Sequence, residues 1–373
     1  MTFDYEQLTE TIAAHAATHA PDVDRGVFPG ETLQAMRAAG MLGLVSAKDV
    51  GGQGLGLGAA AFVVERLARE CGSTAMVVCM HYCAAAVIEQ HGPATIRAAI
   101  AAGRHLSTLA FSELGSRSQF WAPVGIATQT SGTTVRLTAR KSWVTSARHA
   151  DSYVWSSKPI AGGETSSLWL VPRDTTGLRI ADDLFDGIGL RGNDSCPITA
   201  EDAAIPESAR LGADGAGFGI MMGTVLPWFN VLSTAVSAGL MEAATTKTAA
   251  HAAGTRFEHA GSTIADLPTV RAYIARMRIA TDQTKTLLAD TITAITTSRP
   301  DTMLRVLESK AAAGESAAQV TDLAMRVCGG AAFRKEVGVE RIFRDSRAAL
   351  VMGPTTDVLY DFIGKAVCGL PLF

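Results

Sequence analysis

The 373-residue chain has no excess of one charge: 33 lysines and arginines face 36 aspartates and glutamates, for a formal net charge of −3 and a pI near 6.3. Without a basic field, the electrostatic holding of nucleic acid or of an anionic membrane surface is excluded. The six cysteines, Cys71, Cys79, Cys83, Cys196, Cys328 and Cys368, form no CxxC pair and have no His-rich flanks, so neither a disulfide framework nor a zinc site is expected. No charged segment followed by an apolar one opens the chain, and no apolar run reaches the roughly 20 residues that cross a bilayer. His81 and His91 sit in helical text without a third ligand nearby, which favours packing roles over metal binding. These absences predict a soluble, cytoplasmic protein with reduced thiols, whose partners are small molecules or proteins.

Enough apolar material is present for a large core. Its texture changes twice. Over residues 1–106 apolar side chains recur at helical spacing, as in ETLQAMRAAGMLGL and AAAFVVERLARECGSTAMVVCMHYCAAAVIEQHG. Residues 107–213 carry β-branched runs punctuated by turn residues, GIATQTSGTTVRLTARKSWVTS, DSYVWSS and SSLWLVP among them, which predicts a compact β-barrel or sandwich. Residues 214–373 return to long helical patterns, at Ile220 to about Ala253, Asp266 to Thr297, Asp301 to Val327 and Thr356 to Val367. Four such segments with short links predict an antiparallel bundle. The glycine run GGQGLGLG at Gly51–Gly58 could cradle a phosphate. It has helical text on both sides instead of the strand that a dinucleotide fold needs, so a turn that starts a helix is the expected reading.

Four segments in fixed order then carry a resemblance. FSELGSRS is similar to Thr-Glu-Pro-x-x-Gly-Ser-Asp, and KSWVTSARHAD to Lys-x-Trp-Ile-Thr-Asn. GIGLRGNDSCPITAEDAAIP is similar to Met-Gly-Leu-Arg-Gly-Ser-Asp, and CGGAAFRKEVGVERIFRDSR to Gly-Gly-x-Gly-Tyr…Val-Glu-Arg…Arg-Asp-Ala. The chain resembles the acyl-CoA dehydrogenase family of flavoproteins over almost its whole length. That resemblance implies an N-terminal helical domain, a middle β-barrel and a C-terminal four-helix bundle. It also implies FAD as cofactor, an acyl thioester of CoA or a carrier protein as substrate, and a homo-oligomer, dimer or tetramer.

The resemblance assigns roles residue by residue. Ser112 and Thr145 supply hydroxyls to the flavin, and Trp143 covers its ring; ordinary strand core and a turn are the alternatives for Trp143 and Thr145. Ser118 falls near the pyrophosphate, Gly329 and Gly330 let a backbone approach the cofactor from a neighbouring subunit, and Thr355 and Asp357 sit where the family touches FAD, helix capping being the alternative for Asp357. The family's FAD-contacting arginine appears as Arg256, displaced by one residue, with Gly261 in place but Ala260 and Pro268 where phenylalanine and glutamine are usual. Arg117 and Gln119 replace glycine and aspartate after the first motif.

One absence concerns the chemistry itself. Counted from Arg344-Asp345, the family's catalytic glutamate falls on Gly353; the alternative position, on the first long helix of the bundle, falls on Phe229, with Asn230 where an arginine follows. Neither is a carboxylate, so the catalytic base is not identified. An acyl-thioester dehydrogenase with a relocated base, a flavin-dependent monooxygenase or oxidase of the same superfamily, and a non-catalytic ligand-binding homologue are the three functions compatible with that vacancy.

Overall fold

The computed structural model describes residues 3–117, 119–130, 132–183 and 185–372. Five helices come first: α1 (Tyr5–Asp24), α2 (Gly30–Ala38), α3 (Leu57–Ala68), α4 (Gly72–His91) and α5 (Ala94–Ala101). Eight strands follow: β1 (Ser107–Ala110), β2 (Ile126–Gln129), β3 (Thr134–Val144), β4 (Ser152–Ser157), β5 (Ser167–Pro172), β6 (Leu178–Ile180), β7 (Cys196–Pro206) and β8 (Arg210–Leu211). The chain then becomes helical again through α6 (Gly217–Ile220), a π-turn (Met221–Val225) and α7 (Leu226–Gly254). A short hairpin of β9 (Arg256–Phe257) and β10 (Ser262–Thr263) leads to α8 (Pro268–Thr296), α9 (Thr302–Cys328), α10 (Val339–Ser346), α11 (Ala348–Val351) and α12 (Thr356–Val367). The helical, β, helical order is the one the texture of the sequence predicts.

Contacts group these elements into two units. The first contains Met1–Ala60, Val77–Asp186 and Arg191–Phe229. Its strands form two four-stranded sheets, ordered β1-β4-β5-β8 and β2-β3-β7-β6, around one core that includes Leu137, Tyr153, Trp155, Trp169 and Ile198. β3 shows the alternation of a half-buried strand, with Val135, Leu137, Ala139 and Lys141 all inward. All six residues of β4 are buried. In β3 the register against β7 slips between Lys141 and Val144, and the bulge leaves Trp143 at φ +54°, turned out of the core.

The glycine run is a turn: a single 3-10 turn, Lys48–Val50, ends on Gly51 at φ +89°, and α3 starts at Leu57. A Cβ at Gly52 would lie 2.2 Å from the Ser46 carbonyl oxygen, so close packing of backbone accounts for that glycine. His81 is fully buried; its Nε2 lies 3.0 Å from the Leu42 carbonyl and its Nδ1 accepts from the Ser107 N–H at 3.2 Å. Burial pushes its pKa down to about 4, so the ring is a neutral connector between the helical segment and β1.

The second unit contains Ala61–Met76, Gly187–Leu190 and Asn230–Phe373. α9 is its axis, packed against α8, α10, α11 and α12. Ala311, Ala313, Gly314 and Ala317 make the buried stripe of α9 narrow, which permits close helix approach. Gly239 of α7 does the same against α3: a Cβ there would meet the Glu65 carbonyl at 2.2 Å. Two helices, Gly72–His91 and Gly217–Gly254, are long and apolar enough to cross a bilayer, contrary to the expectation from the sequence. Their apolar windows are 89% and 72% buried within the protein, the signature of core helices.

Candidate functional site

In the first unit the sequence-assigned residues gather at the bulged end of β3. The Ser142 N–H donates to the Ser112 carbonyl at 2.9 Å, and a β-bridge pairs Glu113 with Lys141. Ser112 is thereby held against the strand that carries Trp143 and Thr145. Trp143 is 66% exposed, with Phe185 edge-on at 6.0 Å between ring centroids; the strand-core alternative for Trp143 is excluded. Thr145 is buried, its Oγ1 lying 3.3 Å from the Ser195 Oγ. Beside it the Ser146 N–H donates to the Asn193 carbonyl at 2.8 Å, while the buried Asn193 Oδ1 has no hydrogen-bond partner among the described residues. A flat exposed ring next to hydroxyls and an unsatisfied buried acceptor is a surface prepared for a planar, hydrogen-bonding ligand. Ser118 lies outside the described residues. Phe229 is buried in this unit.

Beneath this surface lies a cluster that the sequence reading missed. Lys141 and Glu113, with 0% and 2% of their side chains exposed, form an ion pair at 2.5 Å. The Nζ also donates to the Ser156 carbonyl at 2.7 Å and approaches the Ser156 Oγ at 2.9 Å. Glu113 Oε2 accepts from the Val124 and Gly125 N–H groups at 2.6 and 2.7 Å. Burial pushes the Lys141 pKa down to about 8, against the pull of Glu113. The signal was present in the alternation of β3, since a lysine in inward register after Val135, Leu137 and Ala139 requires a buried partner.

The second unit holds the other assigned positions. Arg256 is exposed on β9, paired with Thr263 of β10. Gly329 ends α9 at φ +56°, and among the described residues nothing beyond the chain neighbours lies within 4 Å of a Cβ built on Gly329 or Gly330. That backbone faces open space next to Phe333, which is 84% exposed. Gly353 is half-buried, and Pro354 is buried. Thr355 caps α12, its Oγ1 accepting from the Val358 N–H at 3.4 Å; Asp357 lies exposed in the first turn, where the helix dipole favours a negative charge. The capping role considered for Asp357 thus belongs to Thr355. Asn230 is buried, its Nδ2 donating to the Val306 carbonyl at 3.1 Å while its Oδ1 has no partner among the described residues.

Lys310 is a second residue the sequence reading missed. It is 1% exposed, and its Nζ donates to the carbonyls of Ala349, Met352 and Pro354 at 3.4, 2.9 and 2.7 Å. Burial pushes its pKa down to about 7. Its spacing from Val306, Ala313 and Ala317 places it on the buried stripe of α9, a helical periodicity that could have been read from the sequence.

Comparison with known proteins completes the description. Three family models match in chain order: the acyl-CoA dehydrogenase N-terminal domain over residues 5–103, the middle domain over 108–203 and the C-terminal domain over 215–368. A probable acyl-CoA dehydrogenase of Bacillus subtilis is 26% identical over 370 residues, covering 95% of this chain and 94% of its own. An L-prolyl-(peptidyl-carrier protein) dehydrogenase of Pseudomonas fluorescens is 27% identical, with 88% and 87% covered. The butyryl-CoA dehydrogenase structure from Megasphaera elsdenii superposes with a TM-score of 0.90 at 20% identity over 98% of this chain and 97% of its own, which shows the shared fold.

Proposed function

The chain belongs to the acyl-CoA dehydrogenase family, and from that premise we propose that it is an FAD-dependent oxidoreductase removing the α and β hydrogens of an acyl thioester, carried by CoA or by a carrier protein. The match of all three family domains in order is the observation that carries this reading. The residues present fit the cofactor: the exposed Trp143 ring, the buried Asn193 Oδ1 without a partner, and the open backbone at Gly329-Gly330.

FAD, when bound, supplies the acceptor for the β-hydrogen and its electron pair. Ser112 and Thr145 present hydroxyls to it, Trp143 shields it from water, and Gly329-Gly330 of a second copy admit it by lacking side chains. The Gly353 N–H donates to the thioester oxygen and stabilises the negative charge that develops there as the α-proton leaves. Gly353 and Phe229 hold no proton acceptor, so the proton leaves to a base elsewhere, less well placed than a carboxylate at position 353 would be. A cofactor shared between copies supports a homo-oligomer, and six cysteines outside any disulfide support a reducing, cytoplasmic setting.

A flavin-dependent monooxygenase or oxidase is the second reading, and the carboxylate-free positions 353 and 229 favour its monooxygenase form, because a flavin reduced by a separate reductant and then reacting with oxygen draws no α-proton from a thioester. Anaerobic bleaching of the bound flavin by a panel of saturated acyl thioesters tests the first reading. Oxygen uptake without any such bleaching is the outcome that replaces it with the second.

A further inference from the structure

We propose that Lys310 is a positioning residue for the Gly353 N–H, its ammonium group anchoring the carbonyl edge of the same peptide unit and so fixing and polarising the donor on the opposite edge. The proposal rests on the reading above that Gly353 meets the thioester oxygen. Its basis is geometric. The Met352–Gly353 peptide is trans, so the Met352 C=O and the Gly353 N–H point in opposite directions in one plane. The Lys310 Nζ sits 2.9 Å from that Met352 oxygen. Among the described residues the Gly353 N–H donates to no acceptor, which leaves it available to a ligand.

A hydrogen bond from a cation to a carbonyl is stronger than a neutral one, and it draws electron density from the amide nitrogen, making the N–H a better donor. Such polarisation is strongest where water is excluded, and Lys310 is fully buried. The contacts at the Ala349 and Pro354 carbonyls, 3.4 and 2.7 Å, brace the residues on both sides of the peptide. The plane of the Gly353 N–H is thus held from three points without using any atom that faces the substrate.

The bland alternative is that Lys310 only satisfies carbonyls left over at the end of α11, as any helix end requires. The two readings part on whether the donor strength at Gly353 changes. The experiment uses the FAD-loaded enzyme at pH 6, below the lowered Lys310 pKa so that the group is the cation, and a 3-arylacryloyl-CoA, a conjugated thioester whose absorption moves to longer wavelength when its carbonyl is polarised. Lys310→Met and Lys310→Arg are compared with the native protein for that red shift, for kcat and KM separately, and for flavin content.

Lys310→Met is expected to keep its flavin and still bind the probe, to lose most of the red shift, and with a saturated acyl thioester to keep KM little changed while kcat falls on the order of 10-fold, less than the ~10²–10³-fold cost of deleting an oxyanion donor outright. Lys310→Arg, which keeps the charge but spreads it over a planar group, is expected to restore part of both. An unchanged red shift in flavin-loaded Lys310→Met leaves only the structural role and overturns the proposal. Should Lys310→Met fail to fold, Lys310→Gln, which is neutral but can still donate to a carbonyl, takes its place, and an unchanged red shift and kcat there overturn the proposal equally. A native enzyme that binds the probe without any red shift contradicts the Gly353 reading itself, a failure distinguishable from that of Lys310.

Discussion

Removing one member of the Glu113–Lys141 pair should destabilise the first unit far more than removing both. The pair is fully inside the core of the two sheets, and each charge has further partners that survive its removal: the Val124 and Gly125 N–H groups for Glu113, the Ser156 carbonyl and hydroxyl for Lys141. Stranding one buried charge costs roughly 3–5 kcal/mol, whereas replacing a buried pair by apolar groups of similar volume is often neutral. Glu113→Gln and Lys141→Met should therefore each lower the unfolding free energy by about 3–5 kcal/mol, and the double variant by clearly less than their sum. The size of the Glu113→Gln loss should depend on pH. Burial already depresses the Lys141 pKa to about 8 while Glu113 opposes the fall, so without Glu113 it falls further. Between that folded value and the unfolded value near 10.4 the unfolded chain binds more protons, and stability rises with pH. Urea titrations at pH 6 and pH 9 should show the variant recovering part of its deficit at the higher pH. Single and double variants all within about 1 kcal/mol of the native protein, at both pH values, would refute the reasoning, since that is the range of an exposed ion pair.

Gly330→Val should release FAD while leaving the far-ultraviolet circular dichroism and the unfolding midpoint near native, because among the described residues nothing beyond the chain neighbours lies within 4 Å of the added Cβ; full flavin occupancy in that variant counts against a shared site. Glu242 accepts from Arg278 at 2.9 and 3.0 Å and from Lys285 at 2.5 Å, and its pKa is held down to about 2, the Arg278 hydrogen bonds being the main cause. A folded value below the unfolded one contributes stability that is complete above the unfolded pKa near 4.3 and is lost as pH falls toward 2, so Glu242→Gln should flatten the acid limb of a melting-temperature profile between about pH 5 and 2, and a limb of native steepness would remove Glu242 from the account. Thiol titration in denaturant without reductant should count all six cysteines, none of which is disulfide-bonded; a lower count would count against the proposed cytoplasmic location.

Much of the architecture is legible in the residues. The end-to-end range of α12 and the near-coincident range of α9 follow from apolar spacing and from Thr355 as a cap, and the alternation of β3 follows from its β-branched inward positions. Less visible were α10 and α11, where VERIFRDSRAALV is short and crowded with charges that mask its periodicity. The π-turn at Met221–Val225 is another such feature: an extra residue in one helical turn leaves no composition signal. The bulge that turns Trp143 outward depends on pairing with β7, a neighbour more than 50 positions away in sequence, so local text favours neither core nor surface for the ring. The site divides in the same way. Ser112 and Thr145 were marked by motif, whereas Glu113, Lys141 and Lys310 owe their importance to burial, which becomes plain only when inward register and helical stripe are assigned.

The central claim is α,β-dehydrogenation by a chain whose residues 353 and 229 bear no carboxylate, and it is tested most directly by anaerobic stopped-flow reduction of the bound flavin with a saturated acyl thioester, native protein beside Gly353→Glu. The account expects measurable bleaching by the native protein and a rate increase on the order of 10²-fold in the variant, the usual gain from a positioned general base. No bleaching in either protein, together with oxygen consumption by the native one, would contradict it.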